Sequence, residues 1–203
     1  NFLNLDIDIE EVKIIKKLLI NKDLLNCEDY GKRVKAISTL KNGDECWHLF
    51  DVLCEPIFLN SKNFYKDIEM LSKAYTAKDG LCALGSHTFI NSPYHDEDLK
   101  LIVEVPDVEH KDLISDALGS VASNINSINS PYHQADMELI SKANAKCLQF
   151  TGTYPPNSIN NLATNPISLK DKYHLENMQI LANNPISKEF LYEIMTDPEV
   201  IKG

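Results

Sequence analysis

Glycine is scarce in this chain, and its scarcity bears on the fold class. Only 7 of the 203 residues are Gly, and the hairpin signal Asn-Gly occurs once, at Asn42-Gly43. An all-β sandwich needs many tight turns of this kind. The sequence also lacks any apolar run long enough to span a membrane. These two absences predict an all-α protein with no membrane partner.

The cysteines are too scattered for a disulfide framework or a zinc module. There are five, and no two form a Cys-x-x-Cys pair, whereas such modules need closer, paired spacing. No Asn-x-Ser/Thr glycosylation sequon occurs either. We therefore expect a cytoplasmic protein with reduced, buried thiols. Because the chain begins with Asn1 rather than Met, we also expect it to be a segment of a larger chain.

Basic clusters are absent, although the chain is strongly charged. The formal net charge is −10, from 30 acidic and 20 basic side chains, and the largest basic clusters are the pairs Lys16-Lys17 and Lys32-Arg33. A protein that binds nucleic acid needs a basic stripe to displace counterions. We therefore expect no nucleic acid as the main ligand. The acidic balance favours a protein or peptide partner with a basic surface.

Signatures of catalysis and of cofactor binding are missing as well. The sequence has no phosphate-binding loop, no dinucleotide fingerprint, no zinc-protease motif and no Gly-x-Ser-x-Gly elbow. Cys46 and His48 are spaced i, i+2, which places their side chains on different sides of a helix. The prediction is a non-catalytic protein with no cofactor and no metal.

Internal repetition is the strongest positive feature of the sequence. The run 91–102, which begins Asn-Ser-Pro-Tyr-His, returns at 129–140, and a looser copy that begins Tyr-His covers 173–181. A further copy at 67–74 shares its Asp, Glu, Leu/Ile, Ser-Lys-Ala pattern with 136–143. These copies predict that one structural unit is used several times.

The spacing of the copies indicates the size of that unit. The shared Asp or Asn stands at positions 67, 98, 136 and 177, which are 31, 38 and 41 residues apart. Helix-pair repeats with their connectors take about 30–45 residues. We therefore predict an irregular α-solenoid of helix-pair repeats that forms a right-handed superhelix. The whole chain, 1–203, is predicted to be a single helical-repeat domain.

Each repeat divides into two predicted helices. Ser-Pro at 92–93 and at 130–131 is the pattern of a Ser N-cap followed by Pro in the first helical position, so the first helix is expected to start there. The second is clearest at 110–125, where an apolar stripe runs from Leu113 to Ile125. Residues 59–203 hold about four such repeats, and the helices within 1–58 form an amino-terminal cap.

Two stretches of that cap have patterns of their own. Residues 10–25 are predicted to form one amphipathic helix. Two shorter helices are expected within 33–54, and their apolar residues are predicted core: Trp47, Leu49, Phe50, Leu53 and Cys54.

A known repeat family is suggested near the carboxyl end. Leu-Ala-Thr-Asn-Pro-Ile-Ser at 162–168 returns as Leu-Ala-Asn-Asn-Pro-Ile-Ser at 181–187, and Asp197-Pro198 follows. This resembles the leucine-rich-variant repeat, an α-solenoid similar in style to HEAT repeats, whose units read Leu-Ala-x-Asn-Pro, a helix, then Asp-Pro. The resemblance implies a helical stack used for macromolecular interaction. The family's iron–sulfur cysteines have no counterpart among Cys27, Cys46 and Cys54.

The repeated Tyr-His pairs and the acidic residue that follows are the candidate binding residues. This candidate face comprises Tyr94, His95, Asp98, Tyr132, His133, Asp136, Tyr173 and His174. The histidines are open to three interpretations: a local hydrogen bond to the Asp one turn on, a row of ligand contacts, or a metal site. The tyrosines suit either packing between repeats or an interface. Asp96-Glu97-Asp98 is interpreted as helix-entry charge.

Two functions follow from these features. The first is a non-catalytic protein–protein interaction scaffold of unspecified oligomeric state. The alternative is an enzyme or ligand-binding protein that uses the repeated Tyr-His positions as its site.

Overall fold

The fold is all-helical wherever the structure describes the chain. The computed structural model describes residues 20–40, 52–73, 79–106, 111–143 and 158–183, together with the single residues Lys16 and Leu49. In these ranges every regular element is a helix and no strand occurs. The predicted all-α class is therefore confirmed for this part of the chain. None of the helices in these ranges combines the length and the apolar composition needed to cross a bilayer.

The chain divides into two compact units, Asn1–Ala77 and Lys78–Gly203. The division falls after position 77, whereas the predicted boundary between cap and repeats is at 58/59. A single helical-repeat domain over 1–203 remains a prediction.

The helices of the first unit whose bounds the structure describes include two short and two longer ones. They are α1, Lys22–Leu25; α2, Tyr30–Ile37; α3, Pro56–Leu59; and α4, Phe64–Lys73. Short helix α1 packs on short helix α3, and α2 packs on α4. Elements of the same kind therefore contact each other across the intervening chain.

The second unit also has short helices followed by longer ones, and it has further helices that belong to neither kind. It begins with a 3₁₀ helix, Asp79–Gly85, followed by α5, His87–Ile90; α6, His95–Glu104; α7, Lys111–Ala122; α8, Ile125–Ile128; α9, His133–Ser141; α10, Ser158–Thr164; a 3₁₀ helix, Ser168–Lys170; and α11, His174–Asn183. Helix α9 packs on α6 and α11 packs on α9, while α7 packs on Asp79–Gly85 and α10 packs on α7.

One local structure recurs five times in the described ranges, and we call it a turn segment. It consists of a capping residue, a short helix, a turn and a longer helix. The longer helix begins nine positions after the N-cap in four copies: 21 and 30, 55 and 64, 86 and 95, 124 and 133. In the fifth, whose short helix is the 3₁₀ helix Ser168–Lys170, we count from Asn165, nine positions before His174; its side chain accepts a hydrogen bond from the Ile167 N–H. In each, the first N–H of the longer helix donates to the carbonyl three residues earlier, at 3.1–3.3 Å. We number the turn segments 1 to 5 in chain order.

Polar side chains of the turn segments explain why the short helices start and stop where they do. Asn124 accepts hydrogen bonds from the N–H groups of Asn126 and Ser127, and Ser86 accepts one from Phe89. Such capping satisfies N–H groups that have no partner inside the helix. The Asn91 amide, just after α5, donates to the His87 carbonyl at 2.9 Å.

The predicted helix start at Ser-Pro is wrong by two or more residues. Helices α6 and α9 begin at His95 and His133. The Ser92 hydroxyl instead accepts a hydrogen bond from the N–H of Tyr94 at 3.1 Å, and Ser130 does the same in turn segment 4. A Ser side chain that bonds the backbone two residues on stabilises a turn. The Pro that follows therefore lies in the turn rather than in the first turn of the helix.

Helix α7 contributes a run of buried apolar residues to the core of the second unit. Ile114, Ala117, Leu118, Val121 and Ala122 are buried, which confirms the main part of the predicted stripe. Leu113 is half-buried. The stripe does not extend to Ile125, which is 56% exposed, because α7 ends at Ala122 and a new short helix starts at Ile125.

Two predictions for the amino-terminal cap are corrected. The helix predicted over 10–25 is interrupted at Asn21, whose backbone is extended and whose side chain accepts a hydrogen bond from the Leu24 N–H. This makes α1 a separate helix. Leu49 and Leu53 are buried as predicted, but Cys54 is only half-buried. Trp47 and Phe50 lie outside the described residues.

Two further predictions concern the burial of the cysteines and the Leu-Ala-x-Asn-Pro copies near the carboxyl end. Cys82 is exposed and Cys27, like Cys54, is half-buried, so the expectation of buried thiols is wrong for these three. The first Leu-Ala-x-Asn-Pro copy spans the end of α10 and the turn after it. The second copy begins at the end of α11, at 181–183, and its remaining residues lie outside the described ranges.

Candidate functional site: the buried histidine rungs

His133 links three elements through both of its ring nitrogens. Its Nε2 lies 2.9 Å from Oδ2 of Asp98 on α6, and its Nδ1 lies 2.8 Å from Oγ of Ser127 on α8. The Gln134 amide donates to the other oxygen of Asp98 at 3.1 Å. The side chains of His133 and Asp98 are 1% and 0% exposed. We call this buried group, His133, Asp98 and Ser127, the first histidine rung.

His174 repeats the arrangement one turn segment later. Its Nε2 lies 2.9 and 3.0 Å from the two oxygens of Asp136 on α9. Its Nδ1 lies 2.9 Å from Oγ of Ser168. The side chains of His174 and Asp136 are both 0% exposed, and Ser168 is buried. His174, Asp136 and Ser168 form the second histidine rung, and the two rungs tie α6 to α9 and α9 to α11.

The partners of the His133 ring assign its proton. A carboxylate only accepts hydrogen bonds, so Nε2 carries the proton that is donated to Asp98. Nδ1 then accepts the hydroxyl proton of Ser127, so these two partners fix the tautomer of the ring. Every polar atom of the imidazole is satisfied in this way. A satisfied buried network of this type specifies one arrangement of its elements.

A tyrosine ring covers each rung. The Tyr94 ring lies 4.8 Å from the His133 ring, and the Tyr132 ring lies 4.8 Å from the His174 ring at an interplanar angle of 25°. Each Tyr directly precedes the helix that supplies the rung Asp. Burying the imidazole face under an aromatic ring adds stacking energy and shields the histidine–aspartate hydrogen bond from water.

The electrostatics of the second rung are dominated by burial. Burial raises the pKa of the Asp136 carboxyl above its ordinary value, and the hydrogen bond from His174 together with electrostatic interactions with His174 and His133 opposes this. His133 therefore acts on Asp136 even though its own hydrogen bond is to Asp98. Asp136 thus interacts electrostatically with the imidazoles of both rungs.

His95 has a different local partner because no serine stands six residues before it. Its Nδ1 lies 3.2 Å from the Phe89 carbonyl oxygen, and its ring lies 4.6 Å from the Phe89 ring. His95 is 3% exposed. It therefore occupies the same buried place in turn segment 3 that His133 and His174 occupy in turn segments 4 and 5.

The first unit uses a cation and an aromatic ring at the corresponding positions. Arg33 occupies the place of Asp98 in its helix, and Phe64 occupies the place of His133. The Arg33 guanidinium lies 4.4 Å from the centre of the Phe64 ring and donates to the Leu59 carbonyl and to Asp29. This cation–π contact joins α2 to α4, as the rungs join the helices of the second unit.

The rungs contain the residue types of a nucleophilic triad but differ from one in two respects. In a Ser-His-Asp triad the serine is on Nε2 and the aspartate on Nδ1, whereas Ser127 is on Nδ1 and Asp98 on Nε2. The Ser127 side chain is also 0% exposed, and a nucleophile must be reached by its substrate. The geometry therefore suits packing between helices.

The structure places the eight candidate residues in two groups. His95, Asp98, His133, Asp136 and His174 are buried, and burial removes them from ligands outside the protein. Tyr94 and Tyr132 are half-buried, and Tyr173 is 55% exposed. Tyr173 is thus the member of the set that reaches solvent most.

One interpretation of these residues is wrong, and another is confirmed. His133 and His174 bond the aspartate of the preceding longer helix, not the residue one turn on in their own helix. Asp96, Glu97 and Asp98 all lie in the first turn of α6, which confirms the predicted helix-entry charge. Asp98 is in addition fully buried there as the acceptor for His133.

Ser127 and Ser168 were not among the predicted site residues. The signal was available: each stands six positions before a repeated His. Arg33 was missed because the turn segment at 21–37 has Cys and Tyr where turn segments 3 and 4 have Ser and His. The nine positions from Asn21 to Tyr30 identify this stretch as a turn segment, but only after that interval is known from the other copies.

The outward sides of the longer helices carry paired charges. Glu69–Lys73, Lys100–Glu104 and Glu138–Lys142 are i, i+4 ion pairs at 2.7, 3.9 and 3.2 Å, all well exposed. Pairs of this kind stabilise a helix slightly. They leave a charged, accessible surface on α4, α6 and α9.

Comparison with known proteins matched no protein-family model, no curated protein and no solved structure. The likeness of 162–200 to the leucine-rich-variant repeat therefore remains a prediction.

Proposed function

We propose that the chain is a non-catalytic protein–protein interaction scaffold, built as an irregular right-handed α-solenoid of helix-pair repeats. The observation that carries the proposal is the pair of histidine rungs, which recur between successive longer helices. Polar groups of this kind, placed between elements and closed to solvent, are suited to fixing the order of helices. Binding is then left to the outward-facing side chains.

The order of packing in the second unit supports the solenoid part of the proposal. The longer helices contact one another in chain order, α6 with α9 and α9 with α11. The other helices form a second series of contacts, in which Asp79–Gly85 packs on α7 and α7 packs on α10. Contacts between neighbours along the chain are the property that distinguishes repeat proteins from a single central core.

The charge of the exposed side chains supports the choice of partner. The whole chain has a net charge of −10, and Glu97, Glu138 and Glu176 are exposed on three successive longer helices. Acidic surfaces steer basic partners and exclude acidic ones. The proposed partner is a protein or peptide with a basic surface.

An affinity capture with matched variants tests the proposal. The immobilised chain is compared with the double variant Glu138→Gln/Glu176→Gln, and retained proteins are quantified and cross-linked to the bait. We expect a partner that cross-links to α9 or α11 and whose retention by the variant falls severalfold, because rim charges govern encounter. The control is Asp23→Asn/Glu55→Gln, which removes the same charge from exposed positions of the first unit.

Two results would contradict the scaffold. One is equal retention by both variants. The other is a wild-type chain that retains no protein while a metal ion or small molecule raises its melting temperature. The second result would favour the alternative, an enzyme or ligand-binding protein that uses the Tyr-His positions.

A further inference from the structure

The serine of each histidine rung is a partner that can reverse its hydrogen bond. The Ser168 hydroxyl lies 2.9 Å from Nδ1 of His174, and the Ser127 hydroxyl lies 2.8 Å from Nδ1 of His133. A hydroxyl both donates and accepts. It donates to Nδ1 while the imidazole is neutral, and it accepts from Nδ1–H once the rung takes up a further proton. The ring therefore keeps a partner on Nδ1 in both protonation states.

His95 lacks such a reversible partner. Phe89 stands six residues before it, at the place of the rung serines, and the Phe89 carbonyl oxygen lies 3.2 Å from Nδ1. A carbonyl oxygen only accepts, so Nδ1 of His95 already carries a proton. In His174 the same nitrogen is unprotonated while the ring is neutral, because Nε2–H donates to Asp136. The serines therefore leave the position for an added proton open in the two rungs.

The two rungs differ in what else holds the carboxylate. The Gln134 amide donates to the second oxygen of Asp98 at 3.1 Å, so Asp98 has a neutral donor in addition to its histidine. Both oxygens of Asp136 instead lie 2.9–3.0 Å from Nε2 of His174. With a neutral imidazole the second rung buries one net negative charge, which is costly. A further proton removes that net charge, so the second rung has the stronger reason to bind one.

The charged groups around the second rung are few in the described ranges. Helix α9 packs on α6, α7, α10 and α11, and α11 also packs on α10 and on Ser168–Lys170. The buried titratable side chains of these elements and of the turn before α11 are His95, Asp98, His133, Asp136, Asp171 and His174. Helix α10 has no titratable residue, and Asp112, Asp116 and Lys170 are half-buried or exposed. The groups that act on Asp136 are His174 and His133.

We propose that the second histidine rung is a proton-binding joint between α9 and α11. The pair His174–Asp136 takes up one proton from water as the pH falls from about 8 to about 5, and the rung stays closed. The proton belongs to the pair. If His174 holds it, both ring nitrogens are protonated; if Asp136 holds it, the carboxyl donates to Nε2 and the ring proton moves to Nδ1. Ser168 becomes the acceptor in either case.

The joint holds α9 and α11 together more strongly in acid than at neutral pH. Burial raises the pKa of Asp136, so the stability that the proton adds is present in acid and is lost as the pH rises through the folded value. Tyr132 covers the imidazole, and the proton is therefore held in a closed place. This device goes beyond the proposed scaffold function, because it concerns a proton and not the protein partner.

NMR of the imidazole nitrogens of the full chain tests the inference between about pH 8 and about pH 5. We expect the ¹⁵N resonance of Nδ1 of His174 to move from the range of an unprotonated nitrogen to that of a protonated one. The backbone amide shifts of α9 and α11 should remain those of the folded chain. Ser168→Ala removes the acceptor, so Nδ1 should stay unprotonated to a lower pH, by about one unit or more.

The matched control is Ser120→Ala, which alters an exposed serine of α7 and should leave the titration of His174 unchanged. Should Ser168→Ala fail to fold, Asp136→Asn replaces it. That variant removes the buried negative charge, so the uptake should again move to lower pH.

Three results would overturn the inference. The first is an Nδ1 that stays unprotonated down to about pH 5 in the folded wild-type chain. The second is loss of amide protection in α11 over the same range, since the rung would then open as it takes up the proton. The third is a titration of His174 that does not change in Ser168→Ala or in Asp136→Asn. None of these results depends on the affinity capture, so the scaffold is tested separately.

Discussion

At the scale of single residues, both members of the contact between successive longer helices differ between the first unit and the second. Arg33 faces Phe64 in the first unit, whereas Asp98 faces His133 and Asp136 faces His174 in the second. A guanidinium on a ring and a carboxylate on an imidazole N–H both satisfy a charged group in a buried or half-buried place. Asp98 without His133 would be a buried carboxylate that has lost its main donor, and Phe64 without Arg33 would lose its cation, so the two members of each contact suit each other.

The pH dependence of stability provides a residue-scale prediction at Asp136. Burial raises the pKa of Asp136 in the folded protein, so its stabilising contribution is full below the unfolded value of about 3.9 and falls as pH rises through the folded value. Asp136→Asn removes this loss and keeps an acceptor for His174. The unfolding free energy of the variant relative to wild type should therefore increase between acidic and neutral pH, measured by urea denaturation.

The opposite sign is expected at Asp29. Hydrogen bonds from Tyr65 and Arg33 lower the pKa of Asp29, so its contribution is present at neutral pH and lost as pH falls through the folded value. Asp29→Asn should therefore lose stability relative to wild type as pH rises. A common sign for both variants would show that general charge repulsion, rather than these sites, controls the pH profile.

At the scale of helices, the closest approach in the second unit depends on two glycines. A Cβ built on Gly119 of α7 would lie 2.6 Å from the Gly80 Cα and would also meet the Gly80 carbonyl oxygen. The Ser115 hydroxyl accepts a hydrogen bond from the Gly80 N–H at 3.1 Å. The 3₁₀ helix Asp79–Gly85 and α7 therefore touch backbone to backbone, and side chains at these positions would separate them.

Gly119→Ala tests this contact. Alanine favours a helix by about 1 kcal/mol over glycine, but here the methyl group must displace backbone, and overpacking costs about 1–3 kcal/mol or more. We expect a net loss of unfolding free energy, measured by chemical denaturation. The control is Gly31→Ala in α2, where a Cβ meets nothing within 4 Å and where a gain of up to about 1 kcal/mol is expected. A stabilised Gly119→Ala would show that the two elements are not in contact.

The sequence predicts the helices better than their ends. The apolar spacing in α7 and the recurrence of Tyr-His identify α6, α7 and α9, because burial of one side imposes a period on the sequence. The start of α6 was misplaced because Ser-Pro has the same appearance in a helix cap and in a turn. Ser92 bonds two residues on, and only the position of the helix after the turn separates these cases.

The candidate site was predicted in part. Repetition at a fixed offset selected the histidines and aspartates that form the rungs, and five of those eight residues proved to be buried together or in matching places. Which histidine pairs with which aspartate depends on contacts across 35 and 38 residues. Local sequence does not encode such contacts, so the partners were misassigned to the same helix.

At the scale of the whole molecule, a constant interval is combined with variable connections. The nine positions from capping residue to longer helix do not vary among the five turn segments, whereas the first residues of the longer helices, at 30, 64, 95, 133 and 174, are 34, 31, 38 and 41 residues apart. The variation therefore lies between each longer helix and the next capping residue. Loops tolerate such changes in length at small cost, so the irregular period is compatible with a regular contact.

The most direct measurement of the central claim, that the histidine rungs hold successive longer helices together, is a double-mutant cycle at the first rung. Asp98→Ala, His133→Phe and the double variant are compared with wild type by urea denaturation, and the exposed pair Glu138/Lys142, treated identically, is the control. We predict a coupling energy of about 1–3 kcal/mol for Asp98 and His133 and almost none for the control pair. Equal, near-zero coupling in both cycles would contradict the account.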